Sequence, residues 1–284
     1  MHKSTASAYA PSHITCFFKI YSNGSTGAGI NLSEGVKAEV EVREAEKNSM
    51  HFFLNGERFN ASTSRIAAEK LSKISGKKFA LECNFESKVP IGFGLGASGA
   101  GAFSLTLALN KALGARLSLK ECMELAKQAE IEAGTGLGDV IAQQFKGVMY
   151  GLQPYPSEKV KEIKCEEEFV VCGFFSAMKT KKIIKDKSWM EKINRSGDYC
   201  MKQISLLPSI KEFIHLSRVF SVETGLASEN VRKVMEEIPP ASMAMLGETV
   251  FVPTSEPEKI EAQLKKFTKS TLVSRIAEKG AHEQ

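Results

Sequence analysis

The chain has no Cys-x-x-Cys pair: Cys16, Cys83, Cys122, Cys165, Cys172 and Cys200 are scattered along its 284 residues. That spacing argues against a zinc ribbon or a disulfide framework and for reduced, mostly buried thiols in a cytoplasmic protein. The five histidines are equally dispersed, so no histidine-based metal site is visible. No apolar run reaches membrane-spanning length, and the N-terminus lacks the continuous apolar core of a signal peptide. Excess charge is also missing. A net charge of +5 suits small anionic substrates without forming the clustered basic face of a nucleic-acid binder, so neither nucleic acid nor membrane is an expected partner. There is no internal repeat and no low-complexity segment. With 43% apolar and 25% charged residues, the chain can build two modest domains or one large one without a metal or disulfide to hold the core.

What it does have is residues 90–100, Pro-Ile-Gly-Phe-Gly-Leu-Gly-Ala-Ser-Gly-Ala, in which four glycines lead into the apolar run Phe103, Leu105, Leu107 and Leu109. Glycine lets the backbone adopt conformations closed to other residues and lets a phosphate approach main-chain N–H groups. A helix starting near Ala97 or Ser98 would aim its unpaired amides and positive dipole end into the same space. A tight turn before a closely packed helix would have a similar composition. Two features favour the anion site: Pro90 ends any preceding strand, and Ser98 places a hydroxyl where a nucleotide-bound metal could lie. No Gly-Lys-Ser or Gly-Lys-Thr follows the glycines, which excludes a P-loop. Gly94, Gly96 and Gly99 fit Gly-x-Gly-x-x-Gly, but a dinucleotide fold needs a strand after the helix ending in an acidic residue. Here Glu121, at about the right distance, falls inside a second helix.

Read in order, residues 1–8 are expected to be disordered, residues 14–20 a strand, residues 22–29 a glycine-rich loop and residues 36–42 a half-buried strand. Asn55-Gly56 marks a hairpin turn. Residues 63–74 read as a helix and 78–85 as a strand, before the glycine loop and helices ending near 113 and 133. Glu130 and Glu132 lie near the end of the second of these helices, ahead of Gly134-Thr-Gly-Leu-Gly-Asp139. By residue preference alone Asp139 is a helix N-cap and Glu130 a solvated helix residue. After a turn cluster at 151–156 come a strand at 168–176, helices at 187–206, 210–222 and 230–237, a strand-turn-strand at 243–252 bent at Gly247, a helix at 257–267 and a strand at 271–276. Strands and helices segregate, which predicts an α+β protein in two parts.

The segments Pro11-Ser-His-Ile, residues 90–100 and Met245-Leu-Gly-Glu-Thr-Val-Phe resemble, in order, the three motifs of the GHMP kinase superfamily. The central one, Pro-x-x-x-Gly-Leu-Gly-x-Ser-x-Ala, is the most specific. Within the superfamily, the opening Ala-Pro-Ser-His-Ile-Thr-Cys-Phe-Phe, the Gly-Thr-Gly-Leu-Gly-Asp segment and the final motif look most like those of archaeal-type pantoate kinases. The resemblance runs from Ala10 to about Pro253. It implies a two-domain fold, a mixed N-terminal β-sheet with helices (1–150) and a C-terminal ferredoxin-like α/β sandwich (151–284), with the active site in the cleft between them. It implies transfer of the γ-phosphoryl group of ATP to the 4-hydroxyl of pantoate, giving 4-phosphopantoate on the archaeal route to coenzyme A. It also carries the expectation of a homodimer.

By the same resemblance Pro90, Gly92, Gly94, Leu95, Gly96, Ala97, Ser98, Gly99 and Ala100 would wrap the triphosphate. Ser98 and Glu130 would hold Mg²⁺, with Glu132 the alternative ligand, and Asp139 would face the substrate hydroxyl as base or electrostatic orienter. This agrees with what phosphoryl transfer needs, namely positioning, a divalent cation and a carboxylate for the alcohol's proton. His13 stands where mevalonate kinases carry a lysine, and it could hydrogen-bond pantoate or the transferring phosphate. For the pantoate carboxylate the candidates are Ser25 and Thr26 in the first glycine segment and Thr180 and Lys181 near the end of the strand at 168–176. Ser12 replaces the superfamily's usual glycine, and Thr26 and Gln153 stand where basic residues are expected. Rival readings are a mevalonate or homoserine kinase, a non-catalytic nucleotide-binding relative, and, third, an NAD-binding protein.

Overall fold

The computed structural model describes residues 3–22, 24–136, 138–153, 159–178, 183 and 186–284. Its first sheet is built on a long antiparallel hairpin of β1 (Lys3–Tyr21) and β2 (Gly24–Glu44). Two expectations are corrected here. Residues 3–8, expected to be disordered, are strand. Ala8 and Ala10 are buried among Val36, Ala38, Val40 and Val42, and alternate with Ser7 and Tyr9. An alanine face carries little hydrophobic signal, which hides the strand in the sequence. Residues 24–29, expected as part of a glycine loop, continue β2. A Cβ on Gly27 would lie 2.4 Å from the Phe17 carbonyl oxygen, and one on Gly29 would lie 2.3 Å from His13 Cε1. The glycines therefore admit β1 at close range beside its irregularity between Thr15 and Phe17.

The rest of the sheet comprises β3 (Ser49–Leu54), β4 (Glu57–Arg58), β5 (Phe79–Glu86) and β12 (His282–Glu283), in the order β12-β1-β2-β5-β3-β4. Because β3 runs parallel to β5, the sheet is mixed. β6 (Val148–Gly151) pairs with Ala28, Gly29 and Ile30 of β2, and β7 (Val160–Ile163) pairs with β6. Helices α1 (Ser62–Ser75), α2 (Ala97–Leu113) and α3 (Leu119–Ala133) pack around one another and, through α2, onto β1 and β2. Every residue of α2 from Gly99 to Asn110 is buried, so the helix is apolar all round rather than striped. The start of α3 is set by a capping box in which Glu121 accepts from the Ser118 N–H at 2.8 Å. Glu121 is thus a cap at a helix start, and the strand that a dinucleotide fold would require there does not exist.

A single helical turn, α4 (Asp139–Ala142), follows α3. Beyond it, β8 (Phe169–Ser176), β9 (Ser242–Ala244), β10 (Glu248–Thr254) and β11 (Ser270–Arg275) form an antiparallel sheet in the order β11-β8-β10-β9. With α5 (Lys187–Leu206), α6 (Ile210–Glu223) and α7 (Glu229–Glu237) before β9 and α8 (Pro257–Leu264) before β11, this is a ferredoxin-like sandwich. The two parts share a core. Phe17 and Phe18 of β1 meet Phe213 and Phe220 of α6 with ring centroids 6.0 and 5.5 Å apart. Gly197 in α5 permits the approach, since a Cβ there would lie 2.3 Å from the Phe18 carbonyl oxygen. β1 therefore serves both halves: its first part lies under α2, its second part under α5 and α6.

Candidate active site

Between β5 and α2 the chain makes a loop in which Gly92, Gly94 and Gly96 have φ of +86°, +78° and +62°. An L side chain there would be strained, so the glycines are required by the backbone path. Gly96 caps α2, whose first intrahelical bond runs from the Ala100 N–H to the Gly96 carbonyl at 3.0 Å. The amides of Ala97, Ser98 and Gly99 precede that bond and have no partner within the helix. Ala97 and Ser98 line a cavity of 530 Å³, within the range of small-molecule sites.

The third motif forms the opposite support of the loop. A Cβ on Gly94 would lie 2.8 Å from both the Gly247 nitrogen and the Met245 carbonyl, and one on Gly247 would lie 2.1 Å from the Phe93 carbonyl group. The Thr249 hydroxyl donates to the Phe93 carbonyl at 2.8 Å, and the Met245 N–H donates to the Thr15 carbonyl at 2.9 Å. The motifs are thus joined backbone to backbone, which explains glycine at both contact points. The Leu95 side chain is buried, while its carbonyl accepts from the His13 N–H at 2.9 Å.

Three ionisable side chains line the cavity among the described residues, His13, Glu130 and Asp139, and neither lysine nor arginine does. Asp139 Oδ1 accepts from the Thr15 hydroxyl at 3.0 Å, and a Cβ on Gly96 would lie 3.3 Å from its Oδ2. The carboxylate therefore stands beside the glycine loop with one oxygen fixed. Gln143, just after α4, donates from Nε2 to the Gly96 carbonyl at 3.0 Å and ties that turn to the loop. Ser98 donates to Thr63 Oγ1 at 2.9 Å, and Thr63 and Thr135 are hydrogen-bonded at 3.1 Å, joining the starts of α1 and α2 to the end of α3. Glu130 is 1% exposed, and its Oε2 has no hydrogen-bond partner among the described residues. Gly99 and Gly136 make room for it, since a Cβ on either would fall within 3.0 Å of the carboxylate. Burial, reinforced by the charge of Asp139, pushes the Glu130 carboxyl well above its ordinary pKa, against a hydrogen bond from the Val140 N–H. Burial lowers the His13 pKa, while the charge of Asp139 and the bond to Asn31 oppose the shift.

Residues 62–147 match the family model described as the GHMP kinases N terminal domain. The chain is 35% identical over 254 residues to a pantoate kinase of Methanocaldococcus jannaschii, covering 86% of this chain and 90% of the relative. The chain belongs to the pantoate kinase family. Within that family it is 29% identical over 272 residues to a pantoate kinase of Thermococcus kodakarensis, with 90% of each covered. A solved structure titled as a phosphotransferase related to the CoA biosynthesis pathway superposes with a TM-score of 0.87 and 26% identity, over 99% of this chain and 98% of that one.

In this pantoate kinase family member His13, Ser25, Thr26, Gly92, Gly94, Leu95, Gly96, Ala97, Ser98, Glu130 and Asp139 all line the one cavity. Pro90, Gly99 and Ala100 do not: Ala100 is fully buried, and Gly99 makes room for Glu130 and Val140. Glu132 points away, exposed and paired with Lys70 at 3.0 Å. Asp139 is the first residue of α4, and Gly138 is its cap. The Thr26 hydroxyl is committed to the Gly151 carbonyl at 3.1 Å. Thr180 and Lys181 lie outside the described residues. The sequence reading omits Thr15, Asn31, Thr63, Thr135 and Gln143. A signal existed for Thr15, two residues after His13 on a strand and hence on the same face. Reading 22–29 as a loop removes the strand register that would reveal Asn31.

Proposed function

We propose that the chain transfers the γ-phosphoryl group of ATP to the 4-hydroxyl of pantoate, giving 4-phosphopantoate for coenzyme A synthesis by the archaeal route. The observation that carries this reading is the Asp139 carboxylate, held by Thr15 beside Gly96 at the mouth of a glycine loop that opens a helix. The choice of pantoate among small alcohols is supported by the relatives at 35% and 29% identity.

ATP would lay its phosphates against the amides of Ala97 and Ser98, where the N-terminal end of α2 favours negative charge. The substrate oxygen attacks the γ-phosphorus as the bond to the bridging β,γ-oxygen breaks, and ADP leaves with that electron pair. Asp139 accepts the hydroxyl proton on Oδ2, the oxygen beside Gly96, while Oδ1 accepts from Thr15. The donor set fits Mg²⁺: Glu130 offers a buried carboxylate oxygen without a partner among the described residues, and Ser98 keeps its acceptor lone pairs while it donates to Thr63. When bound there, the ion would neutralise phosphate charge that no described lysine or arginine of the cavity offsets. The pantoate carboxylate needs donors. Thr26 is already spent on Gly151, and nearby on the cavity wall Ser25, whose hydroxyl faces Gly138, and the Gln153 carboxamide are candidate donors. The six free cysteines accord with the cytoplasmic setting this chemistry would have, and among the described residues no helix is long and apolar enough to cross a membrane.

The test is ADP release from Mg-ATP with pantoate, mevalonate, homoserine or pantothenate offered singly. Turnover that requires pantoate is the expected result. Turnover with another of these alcohols instead would keep the reaction type and remove the substrate.

A further inference from the structure

His13 and Asn31 are direct partners across the β1–β2 ladder, so their side chains leave the sheet on the same face. His13 Nδ1 lies 2.8 Å from Asn31 Oδ1. Which atom carries the hydrogen follows from the other bonds of Asn31. Its Nδ2 has two hydrogens, and both are used, by the Ala142 carbonyl at 2.7 Å and the Phe145 carbonyl at 2.8 Å. Turning the carboxamide over would set its oxygen against two carbonyl oxygens. The main chain is equally committed: the Asn31 N–H donates to the Gly147 carbonyl at 3.0 Å, and its carbonyl accepts from the Ala277 N–H at 2.8 Å. Oδ1 can therefore only accept, so Nδ1 donates. A neutral ring with its hydrogen on Nδ1 carries its lone pair on Nε2. Nε2 is bonded by no described residue; it lies 2.4 Å from where a Cβ of Gly29 would be, and His13 and Gly29 both line the cavity.

We propose that Asn31 is a positioning residue for the phosphoryl transfer: it locks His13 as the Nδ1–H tautomer, so that Nε2 presents a lone pair to a hydroxyl of the substrate. The same carboxamide is itself held in place by the carbonyls of Ala142, the last residue of α4, and Phe145 beyond it. At this position the site then offers an acceptor for a hydroxyl rather than a cation for a phosphate. The inference rests on the kinase reading above for its substrate, but the tautomer itself does not.

Two measurements decide it. In the full-length protein labelled with ¹⁵N-histidine, long-range ¹H–¹⁵N correlation at neutral pH, with His13 assigned through His13→Gln, should show a protonated Nδ1 and an unprotonated Nε2. A hydrogen on Nε2, alone or with Nδ1, would overturn the proposal. Steady-state kinetics of Asn31→Ala, His13→Gln and the double variant form the second arm. Asn31→Ala should lower kcat roughly 10-fold with the KM for ATP little changed, and should add less than about 3-fold in the His13→Gln background. Losses that multiply in full would mean that Asn31 merely fastens α4, and the positioning role would be lost. If Asn31→Ala does not fold, the wild-type spectrum decides alone. A wild type inactive on pantoate would sink the substrate assignment and leave the spectrum readable.

Discussion

Thr15 and Asp139, 124 positions apart in the chain, are joined by a hydrogen bond of 3.0 Å from the threonine hydroxyl to Oδ1. It fastens the one-turn helix α4 to the first strand and fixes which carboxylate oxygen faces the glycine loop. Thr15→Val keeps the shape and removes the donor. We expect kcat to fall roughly 10-fold with a stability change within about 1.5 kcal/mol, and Thr15→Ser to retain most of the rate. Steady-state kinetics beside urea titration checks both halves.

Gly247 is where the third motif touches the glycine loop, and a Cβ there would lie 2.1 Å from the Phe93 carbonyl group. Backbone on both sides must move, so Gly247→Ala should cost about 1–3 kcal/mol and raise the KM for ATP. Gly76→Ala is the control. Its φ of +67° is strained for alanine, but a Cβ meets nothing within 4 Å, so stability should fall by about 1 kcal/mol with kinetics unchanged. Thermal unfolding and ATP kinetics of the two variants separate strain from site damage.

His13 is held below its ordinary pKa of 6.5 by burial, with Asp139 the charged group that opposes the shift. The folded state then binds fewer protons at this ring than the unfolded chain does, so its contribution is present above 6.5 and is lost as pH falls through the lowered folded value. Urea stability of the wild type should drop in that acid window, and His13→Gln should flatten the drop. An identical pH profile for the two proteins would show that His13 does not couple to folding.

Burial pushes the thiols of Cys122, Cys172 and Cys200 up to about 12. At pH 8 only about one such thiol in 10⁴ would be thiolate. An alkylating reagent should leave these three unmodified in the folded protein and modify them in urea, as peptide mass analysis would show. Rapid alkylation of folded Cys172 would contradict the packing of β8.

Much of the site was legible because its chemistry sits in short contiguous stretches. Residues 90–100 announce a glycine loop opening a helix, by glycines at positions that prove to have positive φ, and Ser98 follows directly. Asp139 and Glu130 needed the family resemblance, because an isolated aspartate before an apolar run reads equally well as a cap. What stayed hidden depends on strand register. Thr15, Asn31 and Gln143 reach the site through partners 124, 111 and 47 positions away, respectively, and no local pattern encodes such pairings. In the fold, the amphipathic helices α5 and α6 lie within a residue of their expected bounds. The alanine-faced start of β1 and the glycine-bearing start of β2 do not, since neither small residue advertises burial.

The measurement that tests the account most directly is single-turnover transfer of labelled γ-phosphate from Mg-ATP to pantoate by Asp139→Asn, with ATP binding measured on the same sample. Asparagine keeps the size and the bond to Thr15 but cannot take the hydroxyl proton. The account predicts transfer slowed about 10²- to 10⁴-fold with ATP bound as in the wild type. Transfer at the wild-type rate would remove Asp139 from the chemistry, and with it the relationship on which the proposed mechanism is built.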